Sequence, residues 1–260
     1  MAGYTSERAG VINIALEGKM LMAACVAGLL TATHGPIVGL LGGVASSVAL
    51  SLLHWLLTQH FNLDHIISGM AINAIGAGGT NFLWNKLSDP GRVGQLPALS
   101  LWIFCALAIV LPFVLAWVSS HTRPGLRLLA VGGDPDKARL AGLEPVKIRL
   151  GGLLLTGVFS GLAGVFLVAN SGTFTDNMTA GKGFIALAAL IIAGWRPIQA
   201  LVASLGFGFF SALQLVVQGV DFFGVKLPSE LWTALPYVVT VIALAGFLGK
   251  NRTPAGLGKA

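Results

Sequence analysis

The chain has 260 residues, 55% of them hydrophobic and 10% charged, with a net charge of +6. Counting its 35 glycines takes the apolar share to roughly two thirds, against about 45–50% in soluble domains, where about a quarter of residues are charged. This excludes a soluble globule, a disordered chain, a secreted disulfide scaffold and a nucleic-acid binder, and leaves a protein that crosses a membrane repeatedly.

A helix needs about 20 apolar residues to cross roughly 30 Å of hydrocarbon. In chain order the candidates are Ala9–Thr31, Pro36–Leu57, Ile66–Trp84, Leu99–Val118, Leu150–Asn170, Gly183–Gly194, Ile198–Val217 and Leu231–Gly249. The first contains Asn13, Glu17 and Lys19, and the third contains Asn73 and Asn81. Gly183–Gly194 is too short for a full crossing unless Met178–Lys182 extends it, so a crossing and a broken or re-entrant helix are both open. Strand-like alternation is absent, which excludes a barrel. The expected fold is all-α: one transmembrane domain over residues 1–260, a polytopic helical bundle of about eight membrane segments. Cys25 and Cys105 lie in apolar stretches and are read as packing or lipid-facing residues. Met1–Arg8 has no apolar core behind a basic start, so no signal peptide is expected.

Lys and Arg in short loops set orientation. Arg123, Arg127, Lys137, Arg139, Lys147 and Arg149 fall in a loop at about residues 119–149, and Lys250, Arg252 and Lys259 follow the last segment. Placing both groups in the cytoplasm also puts Arg8 and Arg196 inside, and leaves Lys86, Arg92, Lys182 and Lys226 outside. Both ends of the chain are therefore expected in the cytoplasm.

Small residues are expected to bring helices together, because lipid tails are as apolar as leucine. Gly39–Gly43 and Gly157–Gly161 are GxxxG pairs, Gly164 extends the second, and Gly69, Asn73, Gly76 and Thr80 share one helical face.

Three stretches carry more than packing. In Ser6–Gly18, Asn13 and Glu17 are four apart and stack on one face of a helix. A carboxylate at membrane depth is a functional candidate; equally, Glu17 pairs with a neighbouring helix near an interface and Asn13 bonds a backbone carbonyl. In Thr122–Leu143, Asp134 suits an N-cap, Pro135 a first turn and Gly142 a helix end. A short helix along the membrane surface follows, with Ala138, Ala141 and Gly142 as small contact points; the alternative is a charged connector. In Asp176–Leu187, Gly181 and Gly183 flank Lys182 at the entry to a short helix, whose N-terminus could aim free N–H groups at a substrate or belong to an ordinary span. No phosphate-binding loop, zinc motif or nucleophile elbow is present. Catalysis, a metal and a cofactor are not expected.

Together these stretches resemble the permease subunits of bacterial ABC importers of the simple-sugar and nucleoside type, relatives of the ribose and branched-chain amino acid permeases. The resemblance covers essentially the whole chain and is carried by Ser6–Gly18, Ala130–Ala138 and Gly183–Ile191; the closing Leu257-Gly258-Lys259 looks like the tail of the nucleoside branch. It implies a bacterial inner-membrane protein paired with a second, homologous or identical permease. It also implies separate cytoplasmic ABC ATPase subunits, which would hydrolyse the ATP, and an external substrate-binding protein. Gly133, Asp134, Ala138, Ala141, Gly142 and Leu143 would form the coupling helix that docks on the ATPase. Such relatives carry at least one more apolar helix before the Ser-Glu-Arg motif, so an upstream in-frame extension of about 20 apolar residues is expected.

The expected cargo is a neutral hydroxylated solute, with nucleosides first and simple sugars second, since apart from Glu17 and Lys19 the spans are nearly free of charge. Asn13, Glu17 and Asn73 are placed along its path, with Phe174 or Phe184 stacking on a base or sugar ring. Two other readings compete. An ion-coupled secondary carrier would place ionisable groups at midplane and often shows an inverted repeat, of which none is clear here. A structural membrane subunit would have no pathway of its own.

Overall fold

The computed structural model describes residues 1–88, 101–217, 238, 241 and 253–259. Apart from positions 238 and 241, the predicted span Leu231–Gly249 lies outside the described residues, as do Arg92, Lys226, Lys250 and Arg252. Among the described residues every regular element is helical, and six helices are long and apolar enough to cross a membrane. They are α2 (Leu16–His34), α3 (Pro36–Trp55), α4 (His65–Leu87), α5 (Leu101–His121), α8 (Pro145–Ser171) and α10 (Pro197–Val217). Shorter helices are α1 (Ala2–Glu7), α6 (Arg123–Gly133), α7 (Pro135–Leu140) and α9 (Lys182–Ile192). A wide π turn, Leu56–His60, continues α3. The chain is thus an all-α polytopic membrane protein.

Two elements depart from the hydropathy reading. The predicted helix from Ala9 is broken: α1 stops at Glu7, the chain turns through Gly10 (φ +93°), and α2 begins only at Leu16. Asn13 therefore lies in a non-helical stretch and does not share a helical face with Glu17. The break is hidden in the sequence because apolar residues fill it, while its backbone groups are satisfied from α4. The Ile12 N–H donates to His65 Nδ1 (3.3 Å), the Gly18 N–H donates to Asn73 Oδ1 (2.8 Å), and Asn73 Nδ2 donates to the Ile14 carbonyl (3.0 Å). Irregular backbone at such a depth requires protein partners of this kind.

The second departure is α9. Its 11 residues rise only about 16 Å, half the hydrocarbon thickness. The turns before it descend beside α2: Phe174 packs at Gly28, whereas Gly181 meets Glu17. Trp195, just past α9, reaches Glu7 and Arg8 near the start of α8. Residues 172–192 thus traverse the bundle as a loop followed by a half-length helix.

Helix α2 is the central element, packed by α3, α4, α8 and α9. The small-residue faces bring backbones together as expected. A Cβ at Gly157 or Gly161 would stand 2.7 or 2.8 Å from the Cα of Val48 or Val44 on α3. One at Gly43 would stand 2.8 Å from the Ala23 carbonyl, and one at Gly76 2.6 Å from the Gly18 Cα. The surface helix predicted at Asp134–Leu143 is α7, with Asp134 Oδ1 accepting from the Asp136 and Lys137 N–H groups, each at 3.1 Å. The connector before it is itself a helix, α6, which begins at a Thr122 cap and a first-turn proline.

Candidate functional site

The motifs at Ser6–Gly18 and Gly181–Pro197, far apart in sequence, meet around the break. Glu17 on the first turn of α2 accepts the Gly181 N–H at Oε1 (2.8 Å) and the Gly183 N–H at Oε2 (2.6 Å). A carboxylate on a helix N-terminus satisfies orphan donors and complements the positive end of the dipole. The free N–H groups expected at the start of α9 are therefore held by Glu17, a contact within the protein.

Below this lies a buried polar chain. Asn13 Nδ2 donates to Ser6 Oγ (3.0 Å), Lys19 Nζ donates to Asn13 Oδ1 (3.3 Å), and the same ammonium lies 3.2 Å from His54 Nδ1. Asn13, Lys19 and His54 are all fully buried. His54 Nε2 has no partner, and neither has the nearby Ser51 Oγ.

At the end of the bundle where α8 starts, Arg8 Nε and Nη2 donate to the Trp195 carbonyl (3.1 and 2.9 Å), and Trp195 Nε1 donates to Glu7 Oε2 (2.5 Å). These contacts fix Trp195 at φ +55°, a strained conformation for a bulky residue. Burial raises the Glu7 carboxyl from 4.5 to about 7, against the opposing pull of the Trp195 and Asn13 N–H groups. A raised carboxyl pKa favours the folded state while the group is protonated. That contribution is complete below about pH 4.5 and is lost as pH rises through about 7. The purified protein should therefore lose thermal stability between about pH 5 and 8, by at most about 3 kcal/mol. Glu7→Gln should flatten that profile. Parallel profiles for the two proteins, in a thermal unfolding series, would show that Glu7 does not titrate in this window.

Of the five residues placed along a pathway, Asn13, Glu17 and Asn73 come together at the break, with polar atoms engaged by the protein itself. Phe174 is buried and tilted against Trp84, ring centroids 5.0 Å apart. Phe184, on the first turn of α9, is 47% exposed. Of the residues expected to form a coupling helix, Gly133, Ala141 and Gly142 are exposed, and Asp134 and Leu143 partly so. Ala138 faces inward and is buried, while Leu140 stands 90% exposed at the tip of α7. Periodicity pointed to the small residues and passed over Leu140. It also passed over Arg149, counted only as a loop charge, which is fully buried and donates to Ala9, Gln59 and Lys259. Nothing in a charge count distinguishes an inward arginine from an outward one.

The chain is 33% identical over 99% of its length to the guanosine ABC transporter permease protein NupQ of Bacillus subtilis, covering 90% of that protein. It is 35% identical over 98% of its length to the nucleoside ABC transporter permease protein NupC of Lactococcus lactis, covering 89% of it. The ribose import permease protein RbsC of Escherichia coli is more distant, at 26% identity over 78% of this chain and 63% of its own length. Residues 1–244 match the family described as the branched-chain amino acid transport system permease component. With its helical membrane architecture and a family match over nearly its whole length, the chain belongs to the permease components of the branched-chain amino acid transport family.

Proposed function

We propose that this chain is the membrane subunit of an ATP-driven importer that moves nucleosides, or failing those simple sugars, from an external binding protein into the cytoplasm. The nucleoside class is supported by the two relatives that match over nearly the whole chain and by spans almost free of charge, which suit a neutral cargo. The observation that carries the coupling part is α7. It is a capped helix that presents Leu140 to solvent, flanked by exposed Ala141 and Gly142 and by Gly133 at its entry. A leucine so exposed beside small residues suits a helix seated in a cleft of a partner subunit. The ATPase docks on this face, with Asp134 capping the helix, Ala138 anchoring it from inside and Leu143 bordering it.

Arg8, Arg123, Arg127, Lys137, Arg139, Lys147, Arg149, Arg196 and Lys259 belong to segments at this end of the bundle, whereas Lys86 lies at the opposite end of α4. This charge distribution supports a cytoplasmic α7, with Arg8 and residues 253–259 on the same side, while α1 runs from Arg8 into the bundle along α8, the Ala2 carbonyl accepting from Thr156. A second permease, identical or homologous, completes the pathway. Glu17, Asn13 and Asn73 hold the break and α9 in place beside that pathway, Phe174 braces the loop before α9, and Phe184 stacks on the passing base or sugar.

Reconstitution with the cognate ATPase and binding protein in liposomes tests this. Uptake of labelled guanosine should require ATP and persist when ion gradients are collapsed. Leu140→Asp should abolish the rise in ATP hydrolysis caused by loaded binding protein. Uptake driven by an ion gradient without ATP would establish the secondary-carrier reading instead.

A further inference from the structure

Residues 253–259 return to the bundle and dock where the break, α6, α7 and α8 meet. The Gly256 N–H donates to the Gly132 carbonyl (3.0 Å), and the Gly258 N–H donates to the Gly10 carbonyl (2.9 Å). The Lys259 carbonyl accepts from Arg149 Nη2 (2.7 Å). Pro254 is buried, and Leu257 packs against the cluster that includes Trp195 and Leu190. Close approach requires glycine at two of these positions. A Cβ at Gly256 would stand 2.9 Å from Pro135 Cδ and 3.0 Å from the Gly132 carbonyl oxygen, and one at Gly258 (φ +78°) would stand 3.0 Å from Ile12 Cδ1.

The placement matters because of what the segment bridges. Gly132 is near the end of α6 and Pro135 opens α7, so Gly256 sits across the joint between them. Gly133 in that joint has open space around it, and a helix of six residues has little stability of its own. Something outside α7 must fix its direction. Arg149 extends the link: its guanidinium also holds the Ala9 carbonyl (3.3 Å) and Gln59 Oε1 (2.7 Å), joining the strap to the break and to the π turn after α3.

We infer that residues 254–259 form a strap, keyed by Arg149, which makes α7 and the break at Ala9–Asn13 move as one body. Displacement of α7 passes through Gly132 and Pro135 to the strap, then through Gly10 and Arg149 to Asn13, Lys19 and Glu17. The inference rests on the reading of α7 as the coupling helix, and it assigns positioning roles to Arg149, Gly256 and Leu257.

The test uses the full transporter in liposomes with labelled guanosine, and two variants: Gly256→Val, which wedges the strap off Pro135, and Leu257→Asp, which expels its apolar anchor. The readout is nucleoside moved per ATP hydrolysed. A strap that only stabilises the fold would lower both rates together and leave that ratio alone. A transmitting strap should lower the ratio about tenfold in both variants, the scale of one lost charge-assisted hydrogen bond, while ATP hydrolysis continues. Hydrogen–deuterium exchange on the purified chain gives a second readout that needs no assembly. Both variants should speed exchange in α7 and leave α2 and α8 unchanged. An unchanged transport ratio, or unchanged exchange in α7, overturns the inference. Absence of ATP-driven uptake in the unaltered protein would instead overturn the functional reading on which it rests.

Discussion

Replacing Glu17 with alanine is expected to destabilise the folded protein by about 3 kcal/mol or more and to abolish transport. The carboxylate accepts two backbone N–H groups, those of Gly181 and Gly183, at the first turn of α9. Hydrogen bonds to a charged group contribute about 1.5–3 kcal/mol each. Alanine leaves both donors without their partner, that of Gly183 in a buried position, and it removes the negative charge facing the positive end of the α9 dipole. Glu17→Gln keeps one acceptor and turns an amide N–H₂ towards the second donor, so it should fall between the two. Thermal unfolding in detergent, alongside uptake, gives the comparison. A melting temperature unchanged by Glu17→Ala would show that α9 is held by apolar packing and not by its cap.

Gly183→Ala is expected to be nearly as damaging, although it adds a single carbon. The new Cβ would lie 2.6 Å from the Glu17 backbone nitrogen and 2.7 Å from Glu17 Oε2. Neither atom can retreat freely, because one is main chain and the other is bonded to the Gly183 N–H itself. Overpacking of this kind costs about 1–3 kcal/mol, and loss of the cap would add to it. Gly151→Ala is the control, since a Cβ there meets open space and alanine favours the helix by about 1 kcal/mol. Gly183→Ala should lower expression of folded protein and uptake together, whereas Gly151→Ala should leave both at or above the starting level. Equal behaviour of the two variants would remove the close approach of α9 to α2 as a determinant of assembly.

Apolar length was enough to locate five of the six spans to within about five residues, because a stretch such as Leu101–His121 has no other way to be satisfied in water. The GxxxG and Gly69–Thr80 faces were equally readable, since helical spacing alone brings those residues into one line. The break at Arg8–Ala15 was not. Val11, Ile12 and Ile14 are as hydrophobic as any helical residues, and what releases the backbone there is a set of donors and acceptors on α4, in particular Asn73 and His65. No local pattern announces a partner more than fifty residues away. The site followed the same rule. Asn13, Glu17 and Asn73 were singled out because polar groups in hydrocarbon demand a reason, and they do lie together. Their partners, Gly181, Ser6, Lys19 and Gly18, emerge only from the tertiary arrangement. Arg149 is counted among the loop charges because sequence position gives distance along the chain and says nothing about which way a side chain turns.

The burial of Lys19 bears on how the protein is made. Helix α2 is among the less apolar of the six spans, and it carries an ammonium whose partners are Asn13 and His54, together with a carboxylate whose partners belong to α9. A lysine at the centre of an inserted helix costs about 2.5–3.5 kcal/mol when it stands alone, and Lys19, the fourth residue of α2, would meet part of that cost. When α2 leaves the ribosome, His54 follows after some thirty-five residues, whereas Gly181 and Gly183 are more than a hundred and sixty residues away. This order predicts that α2 stays at the protein-conducting channel, or shallow in the bilayer, until α3 brings the imidazole, which crosslinking of stalled nascent chains to the channel would check. Glu17 gains its hydrogen-bond donors later still, when α9 closes against it. The order of synthesis sets the order in which these charges are sheltered, and chains released before α9 is made would be left with an exposed carboxylate for membrane quality control to recognise.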